Sequence, residues 1–383
     1  MIKTEKLYYL DAYISEFDAT VLSCDFSKEG YAVILDKTAF FPEEGGQYSD
    51  KGYISDAYIY DVEEKDGVIY HYSKKALNVN QTVHCRINFE ERFDKMQQHT
   101  AEHMISGFLH KLYGIDNTGF HLGAIDVTLD TSREVSREEL SYVEALVNGA
   151  VTKNLRVDSY FPSSEELGAI NYRSKLDLTE NVRIVKIGDV DSCACCAPHV
   201  NFTGEIGLVK FVDAVKHKGG SRIRMLAGKR AYEYVAQVMN EAACISALLS
   251  APQSDIASEV KKLLDTKASL DYEIKKRGIA IAEITADSLS EKEENAVVYN
   301  PIFDMDSLRA FVNKAKEKCK GTIVALSGEE GAYKYVIYGE SDDFQSIVKN
   351  ANSALCGRGG GRAPMASGSF AATLDEIKNH FLK

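Results

Sequence analysis

No apolar run in the 383 residues approaches the roughly 18 needed to span a bilayer. The opening stretch MIKTEKLYYLDAYISEF carries charges where a signal peptide needs an apolar segment, so a cytoplasmic protein with no membrane partner is expected. Positive charge is also scarce. The 45 lysines and arginines face 57 acids for a net charge of -12, which cuts against a nucleic-acid partner, because phosphate contacts need cations. A disulfide framework is excluded too, since eight cysteines suit a secreted scaffold only in a much shorter chain. Three of them, Cys193, Cys195 and Cys196, crowd into four positions, which reads as metal or redox chemistry. With 45% apolar and 27% charged residues the chain is neither disordered nor collagen-like. Its length predicts two or three domains at about 100–200 residues each.

Residues 1–88 are strand-like, with Tyr31–Leu35 and Tyr58–Val62 separated by turn clusters such as Glu44-Gly-Gly46, and the spacing suits a small β-barrel. At Phe89 a helical pattern begins that runs without proline and stops at Gly114. Strand candidates at Ala124–Leu129, Val182–Ile187 and Ile206–Val212, with a helix at Arg137–Lys153, make 89–240 an α+β unit. Across 241–292 the positions Ile256, Val260, Leu263, Lys267, Leu270, Ile274, Arg277, Ile281 and Ile284 follow coiled-coil spacing, giving a helical arm expected to break near Gly278. Residues 293–383 alternate strands (Thr322–Leu326, Tyr333–Tyr338) with helices (Ser307–Lys318, Asp343–Leu355) as a compact α/β unit. The fold class is therefore multidomain α+β. The arm or the last unit offers surface for a homodimer.

Charge distribution matters more than the sum. Between positions 210 and 230, Lys210, Lys216, Lys218, Arg222, Arg224, Lys229 and Arg230 meet one acid, Asp213, so an acidic protein can still own a basic face. A solvated charge run is the bland alternative.

His99 and His103, four apart on the predicted helix, project from one face and can reach one ion. Cys195 and His199 repeat the four-residue step, and a thiolate with three imidazoles suits one Zn²⁺. Cys193 or Cys196 could replace Cys195, which is preferred for its spacing to His199. The bland alternative is two solvated histidines and a buried cysteine cluster. Four protein ligands close a tetrahedral site, and closed sites are usually structural, so catalysis would need a ligand to leave or a fifth to enter.

In order, DKTAFFPEEGGQYSDKG (36–52), HTAEH (99–103), CCAPHVNFTGEIGLVKFV (195–212) and RGGGRAPMASG (358–368) resemble the alanyl-tRNA editing family, in its freestanding long AlaX form, over nearly the whole chain. The resemblance implies a zinc-binding editing domain at 89–240 and a DHHA1-like domain at 293–383. It implies hydrolysis, without ATP, of the ester that joins serine, or glycine, to alanine tRNA. The barrel starts near the first residue and leaves no room for an aminoacylation core, so editing in trans is expected. A pocket for alanine cannot strongly reject serine by size, and a second site that pairs the serine hydroxyl removes the error. Carried over motif by motif, His99, His103, Cys195 and His199 become the metal ligands, and His103, Gln47 and Thr38 the catalytic residues. Thr38, Gly45, Gly46 and Gln47 would line the substrate pocket. Lys218, Arg222 and Arg224 would bind tRNA, as would Arg358, Gly359, Gly360, Gly361 and Arg362, the glycine N–H groups forming an anion nest between arginines. The expected mechanism is a zinc-positioned water attacking the ester, with the ribose hydroxyl as proton relay. A zinc-stapled tRNA-binding module without catalysis is the alternative. The family has glycines and threonine where this chain has Cys196, Ala197 and Pro198, so the pocket loop differs.

Overall fold

The computed structural model describes residues 3–27, 29–124, 126–174, 181–291 and 294–382. Ile125, inside one predicted strand, and the predicted boundary at 292–293 lie outside the described residues. Contacts divide the chain into two units, 1–241 and 242–383.

In the first unit, alternating apolar residues curl the N-terminal strands into a closed barrel. Around it run Glu16–Ser27, Gly30–Leu35, Val68–Ser73, Ala57–Lys65, Gly52–Ile54 and Thr82–Ile87, the last pairing back onto the first, all antiparallel. Val21, Val33, Leu35, Ile59, Val62 and Cys85 fill its interior. The segment between Thr38 and Gly52 leaves the barrel and returns to it. Its Glu44-Gly45-Gly46-Gln47 turn has Gly45 at φ 63° and Gly46 at φ 82°, and Glu44 and Gln47 exchange two backbone hydrogen bonds of 3.1 Å. Two successive positive φ values are what a tight hairpin turn demands, and glycine supplies them without strain.

The site helix, Phe89–Tyr113, starts where the Asn88 side chain accepts from Glu91 N–H and ends on Gly114 in the left-handed region. Both ends satisfy backbone groups a helix otherwise leaves unpaired. Met96, Ala101, Met104, Ile105 and Leu109 bury it in the unit's main core. A four-stranded sheet, ordered Val209–His217, Gly220–Ala227, Val127–Thr131, Asn117–Leu122, and a three-stranded one, Val157–Tyr160, Ile184–Ile187, Asp191–Ala194, complete the unit with a helix at Arg137–Thr152. The helix is clamped to the barrel segment by a fully buried ionic cluster. Asp50 takes the Arg92 guanidinium (Nε to Oδ2 2.9 Å) and the Phe41 N–H (2.8 Å), while Lys95 donates to Ser49 O at 2.7 Å and lies 3.6 Å from Asp50.

A helix at Gly228–Leu249 leads to the arm helix, Ile256–Asp287, which runs unbroken through Gly278, contrary to the expected break. A Cβ at Gly278 would stand 2.7 Å from Ser307 Oγ, so the glycine serves close approach of the Met305–Ala315 helix rather than a kink. Ala282 and Ala286 are buried in the core that this helix shares, while Leu263, Leu270, Ile274 and Ile284 of the heptad stripe are exposed. Beyond the arm a five-stranded sheet runs Ala296–Tyr299, Ile323–Ser327, Tyr333–Tyr338, Met365–Phe370, Arg358–Gly360, parallel only at its first pair. Ile323 and Ala325 enter one core and Val324 and Leu326 the other, so helices cover both faces. Among the described residues no helix is long and apolar enough to cross a membrane.

Candidate metal centre and nucleic-acid contacts

Two turns of the site helix, the cysteine strand Asp191–Ala194 and the loop after it bring His99, His103, Cys195 and His199 together, one donor atom from each lying within 4.8 Å of the others. The three histidines are each 3% exposed, which disposes of solvated imidazoles. Each ring is held from behind. His99 Nδ1 lies 3.0 Å from Gln47 Oε1, His103 Nδ1 3.2 Å from Asp191 Oδ2, and His199 Nδ1 3.0 Å from Thr100 Oγ1. The Thr100 hydroxyl already gives its proton to Met96 O at 2.7 Å, so it accepts from His199 Nδ1–H. A carboxylate and an amide oxygen likewise only accept. All three rings are thereby fixed with the hydrogen on Nδ1 and Nε2 turned inward, the arrangement that metal-binding histidines adopt.

An ion with tetrahedral sulfur and nitrogen ligands, at about 2.3 and 2.0–2.1 Å, would hold them about 3.5 Å apart. His99 Nε2 and His199 Nε2 lie 3.7 and 3.4 Å from Cys195 Sγ. The residues therefore fit such an ion. Charge agrees with geometry. Burial opposes ionisation of Cys195, yet the imidazoles of His99, His103 and His199 hold its thiol well below the ordinary range. Burial likewise works against protonated His103, but Cys193, Cys195 and Asp191 raise it well above its usual value, while burial pushes His199 down to about 3. A thiolate and one imidazolium balance each other here, and a bound cation would displace that proton. Behind them, Arg173 grips both oxygens of Asp191 at 2.8 Å.

Thr100 and Asp191 were not singled out from the sequence. Thr100 had a signal, lying between the two ligands of HTAEH; Asp191 had only its place four residues before Cys195. Thr100→Val, which keeps the shape and loses the hydroxyl, is expected to weaken metal binding roughly 10–100-fold in chelator competition, with Thr100→Ser restoring it.

The structure separates the other predicted residues into groups. Gln47 joins the cluster through His99. Gly45 packs beside Cys196, where a Cβ would lie 3.6 Å from its Sγ, and a Cβ on Gly46 would meet Phe120 O at 2.6 Å. Phe120 in turn packs against His99, ring centroids 4.9 Å apart and the planes tilted by 40°. Thr38 is fully buried, and its hydroxyl is 2.8 Å from His71 Nε2 and accepts from Phe40 N–H. Burial pushes His71 down to about 4, so it is neutral there. His121 is exposed.

The basic run is a correction. Six of its seven cations pair with acids: Lys210 with Glu144, Lys216 with Glu134, Arg222 with Asp130, Arg224 with Asp213 and Asp126, Lys229 with Glu90, and Arg230 with Asp94. Most of those acids come from distant sequence, which a count along the chain misses. Lys218, exposed at the hairpin turn, takes no ion pair among the described residues. The glycine-rich loop is a second correction. Arg358–Gly360 is an extended edge strand, Gly359 opposite Gly368, not a nest of successive N–H groups. A Cβ on Gly359 would meet Gly368 Cα and Ser367 O at 2.5 Å and Tyr335 Oη at 2.7 Å, so packing demands that glycine. Arg358 and Arg362 stay exposed, with no ion pair among the described residues.

Family models match three segments. Residues 12–91 match class II (A) tRNA synthetases, 182–225 the threonyl and alanyl tRNA synthetase second additional domain, and 280–383 the DHHA1 domain. The chain is thus of the class built from synthetase-type segments around a buried histidine–cysteine centre. It is 29% identical to the alanyl-tRNA editing protein AlaX-L of Pyrococcus horikoshii, over 97% of this chain and 96% of that one. It is 26% identical to the alanyl-tRNA editing protein Aarsd1 of Rattus norvegicus, over 92% and 90%. Against the alanine-tRNA ligase of Archaeoglobus fulgidus, 29% identity spans 97% of this chain but 43% of the ligase. Over nearly its whole length the chain is thus similar to alanyl-tRNA editing proteins.

Proposed function

We propose that this protein is a trans-acting deacylase that hydrolyses the ester of alanine tRNA mischarged with serine, and with glycine, and that one zinc ion per chain occupies the centre formed by His99, His103, Cys195 and His199. The observation that carries the reading is this buried four-donor set with an unsatisfied donor beside it: Gln47 Oε1 is committed to His99, while Gln47 Nε2 is buried without a partner. A buried N–H without an acceptor costs about 1–3 kcal/mol. A substrate oxygen would relieve that cost, and a serine hydroxyl is one that alanine lacks. A bound zinc would supply Lewis acidity, polarising a carbonyl or acidifying a water. Gly45 and Gly46 bring backbone to the cluster's edge, and Asp191 and Thr100 keep the imidazoles oriented. Arg358 and Arg362, with Lys218, are exposed and take no ion pair among the described residues, which suits contact with tRNA phosphates. The uncovered arm stripe supports a homodimer, to be checked by mass in solution.

The test is release of serine from seryl-tRNA(Ala), with alanyl-tRNA(Ala) as control, with and without a zinc chelator. Chelator-sensitive loss of serine with alanine spared is expected. If neither ester is cleaved, the centre is a structural staple in an RNA-binding protein. Arg362→Ala is expected to weaken tRNA binding and reduce the slope of log affinity against log salt by about 1. An unchanged slope would remove Arg362 from the phosphate footprint.

A further inference from the structure

The turn from Glu44 to Gln47 sends two side chains toward the centre, and the deacylase reading uses only one of them. Glu44 and Gln47 stand directly opposite each other across the turn, so their side chains leave on the same face of it. Gln47 reaches His99, while the Glu44 carboxylate accepts from the thiol of Cys196, the residue after the Cys195 ligand. His99 Nε2 and Cys195 Sγ are themselves 3.7 Å apart. The two side chains of the turn thus end on one ligand and on the neighbour of another.

The parts that present Glu44 are held in place. Glu43 N–H donates to Val62 O at 3.1 Å and Leu122 N–H to Gly46 O at 3.0 Å, which pin the turn to the barrel and to the Asn117–Leu122 strand. Arg183 Nη1 donates to Cys195 O at 3.0 Å and to Ala197 O at 2.8 Å, which fixes the loop that carries Cys196. Glu44 itself is exposed and takes no ion pair among the described residues. A carboxylate in that position works against tRNA binding, because it repels phosphates. The aminoacyl end of the ester, however, brings a cation of its own. Its α-ammonium lies one carbon from the carbonyl that is attacked, and a centre built to hold a metal cation repels it unless an acid stands close by.

We propose that Glu44 binds the α-ammonium of the aminoacyl ester, so that the protein accepts esters with an unblocked amine and rejects N-blocked ones such as peptidyl-tRNA. This deepens the deacylase reading and rests on it. Gln47 Nε2, buried without a partner, reads the serine hydroxyl, and Glu44 reads the amine that every aminoacyl ester carries. The first contact separates serine from alanine. The second separates an amino acid from a peptide. One carboxylate serves the thiol and the ammonium together, since it has about four lone-pair sites.

The experiment measures release of serine from seryl-tRNA(Ala) and of N-acetylserine from N-acetylseryl-tRNA(Ala), by wild type and by Glu44→Gln. Glutamine keeps an acceptor for the Cys196 thiol and removes only the charge. On seryl-tRNA(Ala), Glu44→Gln is expected to raise KM roughly 10-fold or more and to leave kcat within about 2-fold, because the ammonium is bound equally in the ground and transition states. Wild type should show at least the same rise in KM on the N-acetyl ester, and Glu44→Gln should add nothing to it. Metal content, thermal midpoint and affinity for uncharged tRNA(Ala) should not fall in the variant, since losing an acid favours phosphates. An unchanged or lower KM for seryl-tRNA(Ala), or a loss of metal from Glu44→Gln, overturns the assignment. So does an equal effect of Glu44→Gln on the N-acetyl ester, which would mean that the shape of the turn was disturbed. If wild type releases serine from neither ester, the deacylase reading fails and the role of Glu44 falls with it.

Discussion

His103→Ala is expected to bring zinc content from one per chain to near zero and serine release from seryl-tRNA(Ala) to background. His103 closes the inner set and is tied through Asp191 to Arg173, so its loss empties the centre and leaves a carboxylate with one cationic partner fewer. The effect should exceed the roughly 10–100-fold that outer partners of a metal ligand command. The fold should survive, because the helix is buried through Met96, Ala101, Met104 and Ile105 on residues other than its ligands. Circular dichroism and metal analysis on the same sample separate the two effects. Full activity in a folded, zinc-free His103→Ala protein would sink the proposed mechanism.

Asp50→Ala is expected to be the most damaging single change to stability. Arg92 and Lys95 have side chains that are 0% exposed, and Asp50 is the carboxylate between them. Removing one partner of a buried ion pair costs about 3–5 kcal/mol, because the buried Arg92 guanidinium is left with neither water nor counterion. In a unit of this size that is a fall in melting temperature on the order of 10 °C. Arg92 would keep its hydrogen bonds to Ala12 O and Ala39 O, and Lys95 its contacts with Ser49 O and Glu91, which hold the loss at that scale. Thermal unfolding with the Asp50→Asn variant alongside measures it; a change below about 1 kcal/mol would show that the cluster is not the clamp between helix and barrel.

Much of this was legible in the sequence where the signal is local. The site helix could be placed at Phe89 to Gly114 because capping and periodicity act within a few residues, and His99 and His103 could be paired because i,i+4 spacing is a property of the helix itself, whereas Cys195 and His199 lie in a loop. What the sequence could not convey depends on partners far away in it. The run from Lys210 to Arg230 looked basic only because Asp130, Glu134, Glu144, Glu90 and Asp94 come from other elements. Gly278 looked like a helix breaker because the Ser307 side chain that needs its space belongs to the next helix. Thr38 shares a motif with Gln47, yet the chain turns between them, and the two side chains bond to different histidines, His71 and His99.

The turn at Gly45 and Gly46 sets how this centre can be re-engineered. The two glycines look equivalent in a sequence and are not equivalent to a randomised library. At Gly45, the left-handed backbone faces only a sulfur at ordinary contact distance, so asparagine should be recovered among functional clones. At Gly46 any added carbon meets the Phe120 carbonyl, and glycine alone should return. Attempts to change which amino acid is released should therefore diversify positions 120 and 196, the walls on either side of the turn, and leave the turn itself fixed.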